Sequence, residues 1–284
     1  MVYVLISVLC SVTVSVLIKL ARSRSINYMQ LIVWNYPIAL LMTYLILRPD
    51  REPWRADLPW NLYLPLGLLL PAIFVVTALA IRFSGIVRTE IAQRLSLFIP
   101  LLAAYFWMGE TLVTEKLIGI GVGVIALGLC LDWKASPAGG DRRSQFYPLI
   151  VLVGMGVIDV LFKQVAQHGT ITYMASLWIV FTLALIVALL FLAYLLVLKK
   201  ERLDRKAIGW GAVLGLFNFG NIVFYMKAHQ ALPDSPSLVF TAMNLGVIAL
   251  GAVVGVLLFR EKLSFSNKIG VFLAIASVLL IAYL

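Results

Sequence analysis

Apolar residues in this chain come in long blocks separated by short polar punctuation. Ten blocks stand out, at 2–19, 28–47, 62–82, 86–108, 116–134, 147–167, 172–198, 207–229, 236–259 and 265–284. Each is close to the roughly 20 residues that a helix rising about 1.5 Å per residue needs to cross hydrocarbon. None has the roughly ten-residue apolar/polar alternation of a membrane barrel strand. The pattern predicts ten membrane-spanning helices. The connections are short, the longest being 48–61 and the Pro/Gly/basic stretch 134–143, so no soluble domain is expected between the spans. The first block resembles a signal peptide only in position. It lacks a basic head and a small-residue cleavage site and ends in Lys19 and Arg22, so it is expected to be retained as a span.

Composition agrees with the pattern. Of 284 residues, 62% are hydrophobic and 13% charged, against about 45–50% and 25% in a soluble domain. The formal net charge of +10 bears on topology and lipid contact, because nucleic acid would need an exposed basic surface that such a chain barely has. Sixteen Lys and Arg lie in the connections after spans 1, 3, 5, 7 and 9, and six in those after spans 2, 4, 6 and 8. By the positive-inside rule both termini then lie outside the cytoplasm.

The stretch 134–143 divides the chain almost in half, and the halves echo one another. Residues 110–119 align with 261–270 at an offset of 151, with Glu, Leu, Ile and Gly coinciding. Val16-Leu17-Ile18-Lys19 aligns with Val160-Leu161-Phe162-Lys163 at an offset of 144. Each half thus has a Lys near the end of its first span and a Glu after its fourth. With five spans per half, an odd number, the second half enters the membrane in the opposite sense, the design that lets a transporter alternate between two mirror-related states. The reading is an all-α integral membrane protein of ten transmembrane helices in two inverted five-helix repeats, 1–134 and 147–284, joined by a linker at 135–146.

Ten helices as five plus five, with Gly109-Glu110-Thr111-Leu112 between the fourth and fifth spans and Glu261-Lys262-Leu263 between the ninth and tenth, resemble the drug/metabolite transporter superfamily, in particular its EamA-type branch. The resemblance covers the whole chain. In this sequence Pro100 lies nearer to Glu110 than the usual fourth-helix proline, and Gly251 stands where an offset of 151 would put its partner. The resemblance implies secondary transport of a small metabolite, often export, through a central cavity between the halves, in a bacterial inner membrane. It also implies that both termini are inside, the reverse of the charge count.

Polar residues within spans carry the chemistry, because a charge at membrane depth costs at least about 2.5–3.5 kcal/mol and usually faces a bundle interior or water. Glu90 and Arg94 stand four apart with the acid N-terminal, the favourable order for an intrahelical pair, and Asp159 and Lys163 repeat the arrangement. Each pair reads either as a self-neutralised packing patch or as a contact that substrate or a proton breaks. Asn218, Asn221 and Tyr225 form a stripe at i, i+3 and i+7. That stripe reads as ligand contact or as interhelical glue, whose bonds average about 0.6 kcal/mol. Trp34 is a candidate apolar cover for the same cavity. Gln30, Asn35 and Asn244 are weaker single positions, and Arg88, about three residues into its helix, is expected to snorkel to the interface.

Other signals lead away from catalysis. Gly119-Ile120-Gly121-Val122-Gly123 lacks the Lys and Ser/Thr of a phosphate loop and predicts close helix packing. Cys10 and Cys130 lack metal spacing, and His168 and His229 are isolated. No enzyme, metal or cofactor motif is present. The expected partners are a small-molecule substrate, membrane lipids and coupled protons, with no nucleic acid and no oligomeric state assigned. The favoured function is secondary active transport with Glu90, Arg94, Asp159, Lys163, Asn218, Asn221, Tyr225 and Trp34 around one cavity. A lipid-carrier flippase of the same fold and a non-transporting assembly subunit are the alternatives.

Overall fold

The computed structural model describes residues 2–47, 58–108, 114–130, 143–168, 172–232 and 236–283. Among them it is helical throughout, with no strand: α1 Val2–Ser23, α2 Tyr28–Met42, α3 Trp60–Ser84, α4 Ile86–Leu95, α5 Phe98–Met108, α6 Thr114–Cys130, α7 Arg143–His168, α8 Tyr173–Ala193, α9 Arg205–Ala231, α10 Pro236–Leu257 and α11 Phe265–Tyr283. The final turns after α2 and α8 widen at Thr43–Leu47 and Tyr194–Leu198. Five of the helices are long and apolar enough to cross a membrane by themselves, and four shorter apolar stretches accompany them. Large apolar side chains such as Leu190, Leu257, Phe265 and Phe272 point outward. In water they would be an aggregation liability; against acyl chains they are not.

Local chemistry sets the helix ends. Asn27 caps α2 by accepting from the Met29 and Gln30 amides, Thr172 caps α8, and Asp204 caps α9. The fourth block, expected as one helix over 86–108, is broken at Ser96–Leu97 into α4 and α5. Pro100 is the reason: it has no N–H to give to the Ser96 carbonyl, and its ring crowds that carbonyl. The break leaves Arg94 in the last turn of α4, where the helix dipole favours a cation.

Helix packing assembles the bundle from pairs distant in sequence. α6 lies along α11, α1 and α2 against α9, α3 against α7 and α8, and α4 against α7 and α10, with further contacts between α2 and α8, α1 and α10, α10 and α11, and α5 and α7. The Gly119–Gly123 motif packs as its sequence predicts. The Gly119 carbonyl accepts from Ser277 Oγ at 2.7 Å, and a side chain at Gly123 would collide with Phe98 and Ser277. Gly121, between them, faces open space. Asn267 of α11 then ties down the end of α6 by donating to the Leu129 and Cys130 carbonyls.

Gly123→Val should therefore lower the melting temperature of the purified protein in detergent, at a cost of about 1–3 kcal/mol for overpacking. Gly121→Val should leave it unchanged. Equal melting of the two variants would show that the α6–α11 seam does not depend on this clearance.

Candidate functional site

One face of α1 organises the polar interior. Ser7, Ser11, Ser15 and Lys19 recur every fourth residue, close to one helical turn apart, and each meets a polar group from another helix. Ser7 Oγ donates to Asn221 Oδ1 at 2.8 Å and to its carbonyl at 2.9 Å. Ser11 Oγ accepts from Arg94 Nη2 at 2.9 Å. Ser15 Oγ donates to Glu90 Oε1, and Lys19 pairs with Glu261. Sequence reading passed over these serines, although a period-four run of small hydroxyls inside an apolar span was the signal available.

Glu90 and Arg94 form the intrahelical pair that their spacing predicts, with Arg94 Nη2 3.8 Å from Glu90 Oε2. Glu90 is almost fully buried at 1% exposure. Gly251 of α10 passes so close that a side chain there would lie 3.2 Å from Glu90 Cγ. Glu90 Oε2 and Arg94 Nε have no hydrogen-bond partner among the described residues. At that depth an unmet charged group is costly, and such groups face substrate or solvent paths more often than lipid.

Other predicted residues converge on Arg94 from separate helices. Asp159 of α7 lies near enough to feel the Arg94 charge and the Ser96 hydroxyl. Its side chain is exposed. Tyr225 of α9 stands within the fields of both Arg94 and Asp159. Thus α4, α7 and α9 bring one base, two acids and a phenol into one polar cluster.

The remaining predicted residues have partners of their own outside this cluster. Asn221 is engaged by Ser7, and Asn218 Nδ2 donates to Asn35 Oδ1 at 3.2 Å, so both tie α9 to neighbouring helices. Trp34 packs its Cβ where Gly211 leaves room, and its indole Nε1 is buried without a hydrogen-bond partner among the described residues. Gln30 clamps the connection before α9, donating to the Arg202 carbonyl and accepting from the Asp204 amide. Arg88 is half-buried and donates to Asn267 Oδ1 at 3.3 Å. Asn267 is itself fixed at the end of α6 by its bonds to the Leu129 and Cys130 carbonyls. The side chains of Lys163, His168 and His229, together with Glu110 and most of the linker 135–146, lie outside the described residues.

A second polar centre lies at the other end of α4. Glu261, in the connection after α10, accepts from the Ile86 amide at 2.8 Å and the Val87 amide at 3.3 Å while pairing with Lys19. It caps a helix 174 to 175 residues away in sequence. The geometry requires glycine at position 85, where φ is +89° and a side chain would strike the Glu261 carboxylate. Lys19 Nζ also lies 4.6 Å from the centre of the Phe259 ring. Sequence comparison of the halves marked both Lys19 and Glu261 as repeat landmarks; that they bond each other depends on packing no local pattern encodes. Loss of the cap in Glu261→Ala should cost about 1 kcal/mol and speed hydrogen exchange at the Ile86 and Val87 amides about fivefold. Unchanged exchange at these two amides would refute the cap.

Residues 144–283 match the sequence model of the EamA-like transporter family. A protein of Haemophilus influenzae (strain ATCC 51907 / DSM 11121 / KW20 / Rd), itself described as uncharacterized, is 40% identical over 288 residues, covering 98% of this chain and 96% of that protein. Taken with the helical, outwardly apolar architecture, these matches make the chain a multi-pass integral membrane protein that belongs to the EamA-like transporter family.

Proposed function

We propose that the chain is a secondary active transporter of a small polar or amphipathic metabolite, working by alternating access between two inverted halves, 1–134 and 147–284. The observation that carries the proposal is the gathering of Glu90 and Arg94, from α4, with Asp159 of α7 and Tyr225 of α9 in one polar cluster. These helices come from both sides of the linker, so any rocking of one half against the other changes the distances within the cluster. Packing supports the two-half design. With α4 and α5 counted as one span, exchanging each helix for the one five spans away turns α1–α9 into α7–α3, α2–α9 into α8–α3 and α1–α10 into α7–α4. The α6–α11, α2–α8 and α4–α10 contacts map onto themselves.

In this mechanism Arg94 is the charge for which others compete. Glu90 holds it from its own helix at 3.8 Å, and Ser11 steadies it from α1. An anionic or polar group of the substrate, entering beside Asp159, displaces part of that hold. Glu90 or Asp159 carries the proton where protons drive the cycle. Trp34, Asn218 and Asn221 bound the space, the aromatic ring covering the apolar part of the ligand. Transport runs on an ion or substrate gradient, since the sequence holds no nucleotide-hydrolysis motif.

A panel of amino acids, nucleotide sugars and cationic drugs, tested in proteoliposomes with and without a pH gradient, should reveal saturable flux of at least one solute. Glu90→Gln and Asp159→Asn should each reduce that flux about tenfold, the scale of one charged hydrogen bond, or abolish its response to pH. Movement of labelled lipid carriers alone would replace this reading with a flippase. No flux of any probe would favour an assembly subunit, and normal flux in both variants would remove the two acids from the mechanism.

A further inference from the structure

A cavity of about 440 Å³ lies where the ends of α1 and α3 meet the start of α2 and the segment after α10. Lys19, Arg22, Arg82, Ser23, Tyr28 and Phe259 line it, and Ile81 contributes to its apolar wall. Its size falls within the range of small-molecule sites, about 300–1,000 Å³. Its charge is one-sided. Lys19 is neutralised by Glu261, whose two oxygens are spent on Lys19 and on the Ile86 and Val87 amides. Arg22 donates to the Arg82 carbonyl at 2.9 Å, and the Arg82 guanidinium lies 5.1 Å from the Phe83 ring centre. Neither arginine has a carboxylate partner among the described residues. Two arginines therefore line one hollow with no carboxylate partner among the described residues, beside hydroxyls and an apolar wall.

We propose that this hollow binds a single oxyanion, phosphate or carboxylate, carried on a part-apolar molecule. Arg22 and Arg82 hold the anion, since a guanidinium presents paired N–H donors that match two oxygens of such a group. Lys19 lies at the same wall, so the bound anion also competes with Glu261 for its ammonium. Occupancy of the hollow is thereby linked to the cap that holds the start of α4. The anion comes either from an anionic lipid headgroup of the adjoining leaflet or from a soluble amphiphile. The site is independent of the transport reading, because binding needs no gradient and no turnover.

The test uses the full chain. Retention of lipid by native mass spectrometry is compared after exchange into phosphatidylglycerol or phosphatidylcholine nanodiscs, and melting in detergent is followed against hexyl phosphate at constant ionic strength. Preferential retention of phosphatidylglycerol identifies a lipid source, and a saturable rise in melting temperature with hexyl phosphate identifies a soluble one. In either case Arg22→Gln with Arg82→Gln should weaken binding at least about tenfold, the scale of losing charged hydrogen bonds. Lys206→Gln with Lys268→Gln removes the same charge from exposed positions that do not line the cavity, and should leave binding unchanged. If the double arginine variant does not fold, each single arginine variant is read in the same way. Absence of binding by both probes, or an equal loss in the lysine control, would overturn the proposal.

Discussion

Charge inside a membrane protein has to be met by protein, and here α1 does most of the meeting. Its four polar residues at four-residue spacing engage Asn221, Arg94, Glu90 and Glu261 in turn. The rest of the arrangement depends on that stripe. Without Ser11 and Ser15 the Glu90–Arg94 pair would face α1 as two buried charges with little but each other, and pairs of that kind often fail to repay their desolvation. Serine suits the task because it offers both a donor and acceptors at small volume, so α1 can approach α4 closely and bind acid and base alike.

Close approach recurs wherever the polar centres sit. Gly251 gives α10 room to cross Glu90, Gly255 lets it pass Val87, and Gly85 opens the turn into which Glu261 inserts. The break imposed by Pro100 ends α4 just beyond Arg94, so the short helix has a carboxylate at its start and a cation in its last turn. Both charges agree with the helix dipole. A ten-residue helix carrying this much polarity would be a poor membrane element alone; held at both ends by α1 and the segment after α10, it becomes the element most closely tied to the candidate site.

Much of this was legible in the sequence, for identifiable reasons. Helix positions follow from hydrophobic block length, and the Glu90–Arg94 contact follows from helical spacing. Close packing at Gly119 and Gly123 follows from the absence of side chains there. What sequence did not supply is partner choice between distant helices. Lys19 and Glu261 were visible as landmarks, yet their pairing spans 242 residues. Asn218 and Asn221 were visible as a stripe, yet their partners Asn35 and Ser7 come from α2 and α1. The break at Ser96 was missed because apolarity continues unbroken through Pro100, and hydropathy cannot register a missing N–H. The partner of Arg88 was not legible either, since Asn267 lies 179 residues away in sequence.

The central claim is that Arg94 and Glu90 form a working contact rather than a permanent lock, and a charge-neutral double variant separates the two. Glu90→Gln with Arg94→Gln removes both charges of the pair together, and Asp159, which loses the nearby cation, is exposed and can be met by water, so the fold should melt close to the wild type. Melting and gradient-driven flux of the double variant, measured on the same preparation, decide the question. Unchanged melting with flux lost is the expected result. Wild-type flux in a stably folded double variant would contradict it and leave the pair a structural lock.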